Sequence, residues 1–394
     1  MDGNSFTETT GQSWGSRLIE SIKGVLFGLL LVIAAFVLLF WNEGRSVRRA
    51  KSLTEGAHAV VSVPANRVDS ANGGKLVHVS GEATTTETLS DPEFGVSVSA
   101  IKLERYAEMY QWKETRSSKS KSKLGGGKKT VTTYSYSKVW SPALIDSSSF
   151  KNPQGHENPG AMVVAGKTWT ANNVTLGAFS LSSAQVAKLN RTDDLSVDEN
   201  AAAALPAATK ARFHWSDGGF YAGSNPASPA IGDTRVTFKV VRPATVSVVG
   251  RQIGRSFEPY QAKAGGSILL LSYGTASAGS MFKSAEKSNE KLAWILRLVG
   301  FVGMALGFFL IFKPLEVVAD VLPILGTFVG IGAGLFAIIL AACFSILTIA
   351  LAWLAFRPLV GIPLLIVVVA GFVWLIRLGL KKKRQRTAAP TSAT

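Results

Sequence analysis

Residues 321–356 read VLPILGTFVGIGAGLFAIILAACFSILTIALAWLAF and carry no charged side chain. The longer block from Trp294 to Ile376 is almost as apolar, and its only charges are those of Arg297, Lys313, Glu316, Asp320 and Arg357. The hydrocarbon core of a bilayer is about 30 Å thick, and roughly 20 apolar residues of helix cross it. The block is long enough for several crossings, so the sequence predicts an integral membrane protein.

Four stretches have the length and composition of a membrane span, and we expect these spans at residues 24–41, 294–312, 335–356 and 359–376. The uncharged run before Arg357 is too long for one crossing. Residues 315–325 are therefore predicted to form a separate helix that lies along the membrane surface. Only Arg357 and Pro358 separate the last two spans, which predicts a tight antiparallel hairpin with its turn at these two residues.

Small residues recur at helix-packing distance in three of these segments. Glycines four residues apart allow two helix backbones to approach closely, because no side chain stands between them. The pattern predicts a packed helical bundle, with contacts at Gly24, Gly28, Gly303, Gly307, Gly326, Gly330 and Gly334.

The residues between the first two spans, 42–291, contain no apolar run long enough to cross a bilayer and are predicted to form a large β-rich domain. Ser182 and Ser280 are predicted to cap helices that run to Leu189 and Lys291. Residues 119–129 are rich in Lys, Ser and Gly, which predicts a flexible loop. Short alternating or apolar stretches predict strands at 76–79, 96–103, 131–140, 235–241, 245–252 and 267–273.

The predicted fold class is an α+β membrane protein with four transmembrane helices and a β-rich extracytoplasmic domain between helices one and two. An even number of spans puts residues 1–23 and 378–394 on one side and residues 42–291 on the other. Basic residues after the first span favour a cytoplasmic domain. The denser basic tail favours the reverse, and we follow it because long domains cross largely regardless of charge. This tail comprises Lys381, Lys382, Lys383, Arg384 and Arg386.

The net charge is +16, which is compatible with nucleic acid, anionic lipid or simple solubility. No nucleic-acid-binding motif is present, so nucleic acid is not an expected partner. The basic tail follows a span directly, and this placement is typical of a topology signal or of contact with anionic headgroups. The single cysteine, Cys343, excludes a disulfide within the chain, and the four scattered histidines indicate no metal site.

Few residues are candidates for catalysis. His156 and Glu157 have the spacing of an acid–base pair, but Gly155 to Pro159 is also an ordinary polar turn, which we favour. Arg297 lies one turn inside the second span and is expected to extend its guanidinium to the interface, with a buried partner such as Glu316 as the alternative. No phosphate loop, nucleophile elbow or zinc motif is present, so we expect no enzyme activity, catalytic residue, cofactor or metal.

Short motifs along the whole chain resemble the transmembrane protein 43 family, also called LUMA. They run in order from the first span to the last: Asn42 to Arg45, Ser52 to Gly56, Leu76 to Val79, Leu89 to Pro92, Glu108 to Trp112, Tyr134 to Tyr136, Gly155-His156, Asn158-Pro159, Gly232-Asp233 and Arg357 to Leu359. The chain differs from the family in a short N-terminal tail and in the Lys/Ser/Gly segment at 117–129.

The resemblance implies four spans with a large domain between the first and second, self-association, and no enzymatic activity or cofactor. In a eukaryote it implies the endoplasmic reticulum and inner nuclear membrane, with lamins and emerin as partners. The Ala- and Gly-rich composition favours a bacterial member. In that setting we expect the cytoplasmic membrane, with the large domain outside the cytoplasm.

Three functions remain open at this point. The first is a non-enzymatic scaffold that self-associates and organises or shapes its membrane, with lipids, further copies of the chain and other membrane proteins as partners. The second is a sensor or binding module that contacts a partner through residues 217–223 or 119–129. The third is a hydrolase around His156 and Glu157. We favour the scaffold.

Overall fold

The computed structural model describes residues 4–203, 205–363 and 366. Two compact units divide these residues. The β-rich unit contains residues 4–11, 52–121 and 129–285. The helical unit contains residues 12–51, 122–128 and the described part of 286–394.

Six α-helices lie among the described residues between 4 and 356, and three of them are long. The helices are α1 (Trp14–Ala59), α2 (Ser183–Val186), α3 (Glu199–Ala203), α4 (Ala207–Lys210), α5 (Ala278–Ala319) and α6 (Pro323–Phe356). Short 3-10 turns lie at Ser70–Asn72 and Ser147–Ser149.

The strands of the described residues all precede α5. They are β1 (Ser5–Gln12), β2 (Val61–Ser62), β3 (Leu76–Thr84), β4 (Thr88–Asp91), β5 (Val96–Ser99), β6 (Lys102–Ser122), β7 (Lys128–Ser141), β8 (Lys167–Thr170), β9 (Thr175–Leu176), β10 (Phe179–Ser180), β11 (Asp193–Leu195), β12 (His214–Ser216), β13 (Gly219–Ala222), β14 (Thr234–Val241), β15 (Ala244–Ile253), β16 (Ser256–Glu258), β17 (Tyr260–Gln261), β18 (Ser267–Ile268) and β19 (Leu270–Tyr273).

Two sheets form the β-rich unit. The first has the order β1-β7-β6-β14-β13-β12, with β11 on β14 and β8 on β6, and the second has the order β19-β15-β16-β10-β9-β3-β2, with β15 also on β3. β17 pairs with β18 and β4 with β5. The antiparallel β6–β14 register runs from Lys102 opposite Val241 to Met109 opposite Thr234. Only Arg242 and Pro243 separate β14 from β15, so the chain passes from one sheet to the other there.

Both sheets contribute to one apolar core. Along β14 the side chains alternate between buried and exposed positions, which places Val236, Phe238 and Val240 in the core. Val246 and Val248 of β15 join the same cluster from the second sheet. Burying a Val or Phe side chain contributes about 1.5–3 kcal/mol relative to leaving it exposed, so this face of alternating residues holds the sheets together.

The predicted strands are confirmed, with changes at their ends. Residues 96–103 are divided between β5 and β6, and residues 267–273 between β18 and β19. The predicted flexible loop at 119–129 is wrong, because β6 continues to Ser122 and β7 starts at Lys128. Hydroxyl pairs join the two strands in this region, at 3.0 Å between Ser118 and Thr132 and at 2.8 Å between Ser120 and Thr130. Such cross-strand pairs stabilise a ladder that the composition alone does not reveal.

One of the two predicted helix caps is confirmed. Ser182 is the N-cap of α2 and forms a capping box with Gln185, although the helix is shorter than expected. Ser280 does not cap α5, which begins at Ala278. Ser277 takes that role, since its hydroxyl accepts a hydrogen bond from the backbone N–H of Ser280 at 3.3 Å.

Within the described part of the chain, three helices are long and apolar enough to cross a membrane: Trp14–Ala59, Ala278–Ala319 and Ile324–Phe356. The described residues thus form a mixed α+β protein with a large β-rich unit and three candidate spans. The expected surface helix at 315–325 is not a separate element. Pro314 lies inside α5, and α6 begins at Pro323, a favourable place for proline because the first helical N–H has no partner within the helix. The fourth predicted span, 359–376, lies largely outside the described residues.

The N-terminal segment belongs to the β-rich unit. β1 neighbours β7 in the first sheet, and the Tyr136 backbone N–H donates to the carbonyl of Asn4 at 2.9 Å. Lys151 forms an ion pair with Glu8 at 2.9 Å. Paired strands lie about 4.8 Å apart, so β1 lies directly beside β7 in the β-rich unit.

Candidate functional site

Residues 155–159, the possible acid–base site for which we favoured an ordinary turn, contain a turn in the structure. The His156 ring is buried against Tyr136, with 3.9 Å between ring centroids, and its Nδ1 lies 3.1 Å from the carbonyl of Asn152. The Glu157 carboxylate accepts a hydrogen bond from the backbone N–H of Gly155. Burial, together with the hydrogen bond to Glu114, raises the pKa of Tyr136. The His156 ring thus packs within the β-rich unit, and the Glu157 carboxylate closes the turn.

Metal ligands do not cluster either. Across residues 4–203 and 205–363, no group of three His, Cys, Asp or Glu side chains is arranged to hold a metal ion. Asp217, in the other candidate segment, occupies the turn between β12 and β13 with a φ of 47°. Buried ion pairs occur in both units: Arg105 pairs with Asp91 at 2.9 Å in the β-rich unit, and two further pairs lie in the helical unit.

A fully buried carboxylate connects all three long helices. The two oxygens of Glu43 in α1 accept hydrogen bonds from Nε and Nη2 of Arg297 in α5, at 2.6 and 2.9 Å. Trp353 of α6 donates its indole N–H to the same carboxylate at 2.9 Å. A bidentate arginine satisfies a carboxylate in a fixed orientation. Glu43 therefore fixes α1 against both α5 and α6.

Amide side chains extend this contact along α1 and α5. Asn42, which is also fully buried, donates to the carbonyl of Ala293 at 3.0 Å. Asn289 donates to the carbonyl of Ser46 at 2.9 Å and accepts from Arg45 at 3.0 Å. Each polar group meets a partner on the opposite helix, so the polar contact also sets the register of the two helices.

Arg297 has the buried partner that was the alternative expectation, but this partner is Glu43 and not Glu316. The expected extension of its guanidinium to the interface stays a prediction. Glu316 pairs instead with Lys313, three residues earlier on the same helix, at 2.7 Å. Glu43 was missed because the residues that meet are on different helices, although its position directly after the first apolar run was a usable signal.

A second buried ion pair joins the other ends of α1 and α5. Arg17 forms an ion pair with Asp320 and also donates to the carbonyl of Gly126. Ser122 donates to the Asp320 carboxylate at 3.0 Å, and the indole N–H of Trp14 donates to the carbonyl of Val317 at 2.8 Å. Residues 122–128, the tip of the β6–β7 hairpin, are thus fixed to the ends of the helices.

The two ion pairs bracket the apolar part of α1. At 1.5 Å per residue, the helix covers about 39 Å between Arg17 and Glu43. A bilayer with its polar headgroup regions is about 40–45 Å thick. The distance along α1 between the two charged contacts is thus close to the thickness of a bilayer with its headgroup regions.

The predicted glycine contacts are divided between two places. A Cβ on Gly28 would lie 2.6 Å from the carbonyl oxygen of Gly307, and a Cβ on Gly303 would lie 3.7 Å from the Cβ of Ala35, so these three glycines are at the α1–α5 contact. Gly326 and Gly330 instead face the α5–α6 connection, where added Cβ atoms would meet Asp320 and Glu316.

The other two glycines have more room. Gly334 has only the Phe309 ring nearby, at 4.0 Å from an added Cβ, and Gly24 has nothing within 4 Å. Gly24 lines a cavity of about 220 Å³ beside the Arg17 ion pair, together with Leu310 and Lys313. Spacing alone missed Gly300, which contacts Leu39, and Gly44, which contacts the Phe356 ring.

The expected hairpin turn begins as predicted. Arg357 is not helical, and residues 358–363 are helical again. An added Cβ on Gly361 would lie 2.8 Å from the backbone of Trp353 and Leu354, so the chain turns back sharply at Arg357 and Pro358. The basic tail, Lys381 to Arg384 with Arg386, lies outside the described residues.

Large apolar side chains point outward from all three helices. Phe27 and Leu30 of α1, Leu298 of α5, and Phe328 and Ile346 of α6 are all exposed. In the most apolar 18 residues of each helix, only 17% of the residues are buried in α1 and in α5, and 28% in α6. An apolar surface of this extent is unfavourable in water and is the solvent-facing surface of a protein embedded in lipid.

Comparison with known proteins agrees with this architecture. The family model for transmembrane protein 43 matches residues 109–358. Transmembrane protein 43 of Mus musculus is 37% identical over 354 residues, and the alignment covers 87% of each chain. The Homo sapiens protein gives the same values, and the homolog of Drosophila melanogaster is 29% identical over 363 residues, covering 89% of this chain and 94% of its own. No solved structure matches the chain. The chain belongs to the transmembrane protein 43 family.

Proposed function

We propose that this protein is a non-enzymatic, multi-pass membrane scaffold that self-associates and organises or shapes its bilayer. The main support for the proposal is the distribution of residues in the helical unit. The outward faces of α1, α5 and α6 are apolar, while the charged residues Arg17 and Glu43 are buried near the two ends of α1. Such a unit presents its whole outer surface to lipid or to a second copy, and its own shape is fixed by ion pairs.

Rigidity of the helical unit supports a scaffold. Breaking a buried pair by removing one partner costs about 3–5 kcal/mol, because the remaining charge is left without compensation. Glu43 with Arg297, and Arg17 with Asp320, are two such pairs. A unit held in this way transmits its shape to the surrounding lipid instead of yielding to it.

Self-association is supported by the surface of α6. Gly332 has nothing within 4 Å of an added Cβ, and the neighbouring Ile331 and Leu335 are exposed. Between membrane helices, association depends on close van der Waals packing, which small residues permit. An open glycine flanked by large apolar side chains provides such a contact for a second copy.

The proposal includes four spans, with residues 359–376 as the fourth, and the β-rich unit outside the cytoplasm of a bacterium. The β1–β7 pairing constrains this topology. If residues 24–41 cross completely, β1 and β7 are on opposite sides and the pairing is lost. Because α1 is one continuous helix from Trp14 to Ala59, the chain does not turn back within residues 24–41, so the pairing and a complete crossing are alternatives that one-sided labelling distinguishes.

Reconstitution in liposomes tests the proposed function. Purified protein should form assemblies of several copies that are visible by electron cryomicroscopy, and the vesicles that carry them should differ in shape from protein-free vesicles. A protein that stays monomeric in detergent and in lipid, and leaves vesicle shape unchanged, would contradict the scaffold.

A sensor or binding module is the second candidate. The exposed Lys119, Lys121 and Lys129 on the β6–β7 ribbon favour it, because they extend from the core and face solvent. If the full-length protein captures a partner from envelope extract only when these lysines are intact, and forms no assemblies, the second candidate replaces the first.

A further inference from the structure

One face of the β6–β7 ribbon is basic without any acidic residue. Side chains alternate between the faces of a strand, so the odd-numbered residues of β6 from 113 to 121 lie together with residues 129, 131 and 133 of β7. A shallow cavity of about 430 Å³ confirms the shared face, since it is lined by Ser117, Lys119, Lys121, Lys129, Val131 and Thr133. Lys113 lies further along the same face, and none of these odd-numbered positions is Asp or Glu.

On the opposite face of the ribbon, the polar side chains form hydrogen bonds with one another. Ser118 and Ser120 pair with threonines of β7, and the Tyr136 hydroxyl donates to Glu114 at 2.9 Å. The guanidinium of Arg116 lies 6.0 Å from the centre of the Tyr134 ring. The acidic and aromatic groups of the ribbon are therefore on this face, and the lysines of the other face are not neutralised by them.

The ribbon ends where the apolar helices end. Its tip, residues 122–128, belongs to the helical unit, where Ser122 contacts Asp320 and the N–H of Gly125 donates to the carbonyl of Val321 at 3.1 Å. Lys121 and Lys129 adjoin this tip directly in the chain. At about 3.3 Å per strand residue, Lys119 is about 10 Å of backbone from Ser122.

We infer that this lysine face binds the headgroup layer of an anionic bilayer. The inference rests on the proposed insertion of the helical unit into a membrane, which brings headgroups to the ends of the helices. Each basic residue close to an anionic surface strengthens binding about fivefold, and screening limits this attraction to about 10 Å. Three lysines together therefore change the docking equilibrium on the order of 100-fold.

Local quenching in nanodiscs tests the inference with the full-length chain. Cys343 is replaced by serine, and Ser117→Cys carries a fluorophore on the lysine face. The discs contain phosphatidylcholine, a rising fraction of phosphatidylglycerol, and a trace of lipid with a spin-labelled headgroup as quencher. Quenching should rise with the phosphatidylglycerol fraction and fall in high salt. A fluorophore at Ser120→Cys, on the opposite face, should be quenched less.

The variant Lys119→Gln/Lys121→Gln/Lys129→Gln should lose the dependence on phosphatidylglycerol. A matched variant, Lys75→Gln/Lys210→Gln/Lys263→Gln, removes the same charge from exposed positions elsewhere in the β-rich unit and should keep it. Equal quenching in neutral and anionic discs, or an unchanged response of the first variant, would overturn the inference. The inference would also be overturned if a double-stranded oligonucleotide, at a phosphate concentration equal to that of the lipid, displaced the ribbon from the bilayer and abolished the quenching. If the protein does not stay in the discs, the proposed insertion itself has failed, which is a different outcome.

Discussion

The carboxylate of Glu43 accepts two hydrogen bonds from the guanidinium of Arg297, although 254 positions separate the two residues in the chain. Because the indole of Trp353 also donates to it, one buried charge specifies how three helices meet. Along α1, charged and polar contacts lie at Arg17 and at Asn42 to Ser46, and glycine and apolar side chains make the contacts with α5 between them.

Glu43→Gln should destabilise the protein by about 3–5 kcal/mol, because it leaves the Arg297 guanidinium buried without a counter-charge. The measurement is thermal or denaturant unfolding in detergent. Glu316→Gln is the matched control, since its pair with Lys313 is partly exposed and is expected to contribute less than about 1 kcal/mol. Equal stability of Glu43→Gln and the native protein would show that the buried pair does not hold the helices together.

Two glycines of α1 should respond oppositely to alanine. Alanine is favoured over glycine inside a helix by about 1 kcal/mol, so Gly24→Ala, with open space around it, should keep or raise the melting temperature. Gly28→Ala should lower it, because the new Cβ would lie 2.6 Å from the carbonyl oxygen of Gly307. Unfolding of the two variants side by side tests this, and a stabilising Gly28→Ala would contradict the close contact of α1 and α5.

Part of this arrangement was predictable from the sequence, because it depends on local composition. The apolar runs identify α1, α5 and α6, since the length needed to cross a bilayer is a property of each run alone. Alternation identified β14 and β15 for the same reason. The partner of Arg297 was not predictable, because it is chosen by packing between helices that are distant in the chain.

The loop predicted at 119–129 also shows that local composition does not reveal contacts with a neighbouring element. Lys, Ser and Gly are typical of a loop, yet Ser118 and Ser120 find hydroxyl partners on β7 and the ladder continues to Ser122. The first residues of the chain are a further case, since they are rich in Ser, Thr and Gly and yet form β1 beside β7.

Alkaline pH should weaken the β-rich unit at Tyr221. The Tyr221 hydroxyl is buried and donates a hydrogen bond to the Asp233 carboxylate at 2.7 Å. Burial, together with this hydrogen bond, raises the pKa of Tyr221 above the ordinary value of about 10. A pKa raised in the folded state means that the stabilisation is complete below pH 10 and is lost as the pH rises through the folded value. Tyr221→Phe should therefore cost about 1.5–3 kcal/mol at pH 7 and less at pH 11. The same cost at both pH values would exclude this linkage.

Labelling on one side of the membrane tests the pairing of β1 with β7. In a Cys343→Ser background, Thr9→Cys and Ser137→Cys are exposed positions on the two strands. The pairing predicts that a membrane-impermeant maleimide labels both from the same side of intact cells or vesicles. Labelling from opposite sides would mean that residues 24–41 cross completely and that β1 leaves the sheet in the membrane.

The mass of the particle excised from membranes in polymer-bounded native nanodiscs tests the central claim most directly. The account predicts that the protein is recovered in the lipid particles at a mass of two or more copies, and that alkaline carbonate does not release it. A single copy per particle would contradict self-association, and release by carbonate without detergent would contradict the embedding of the three apolar helices.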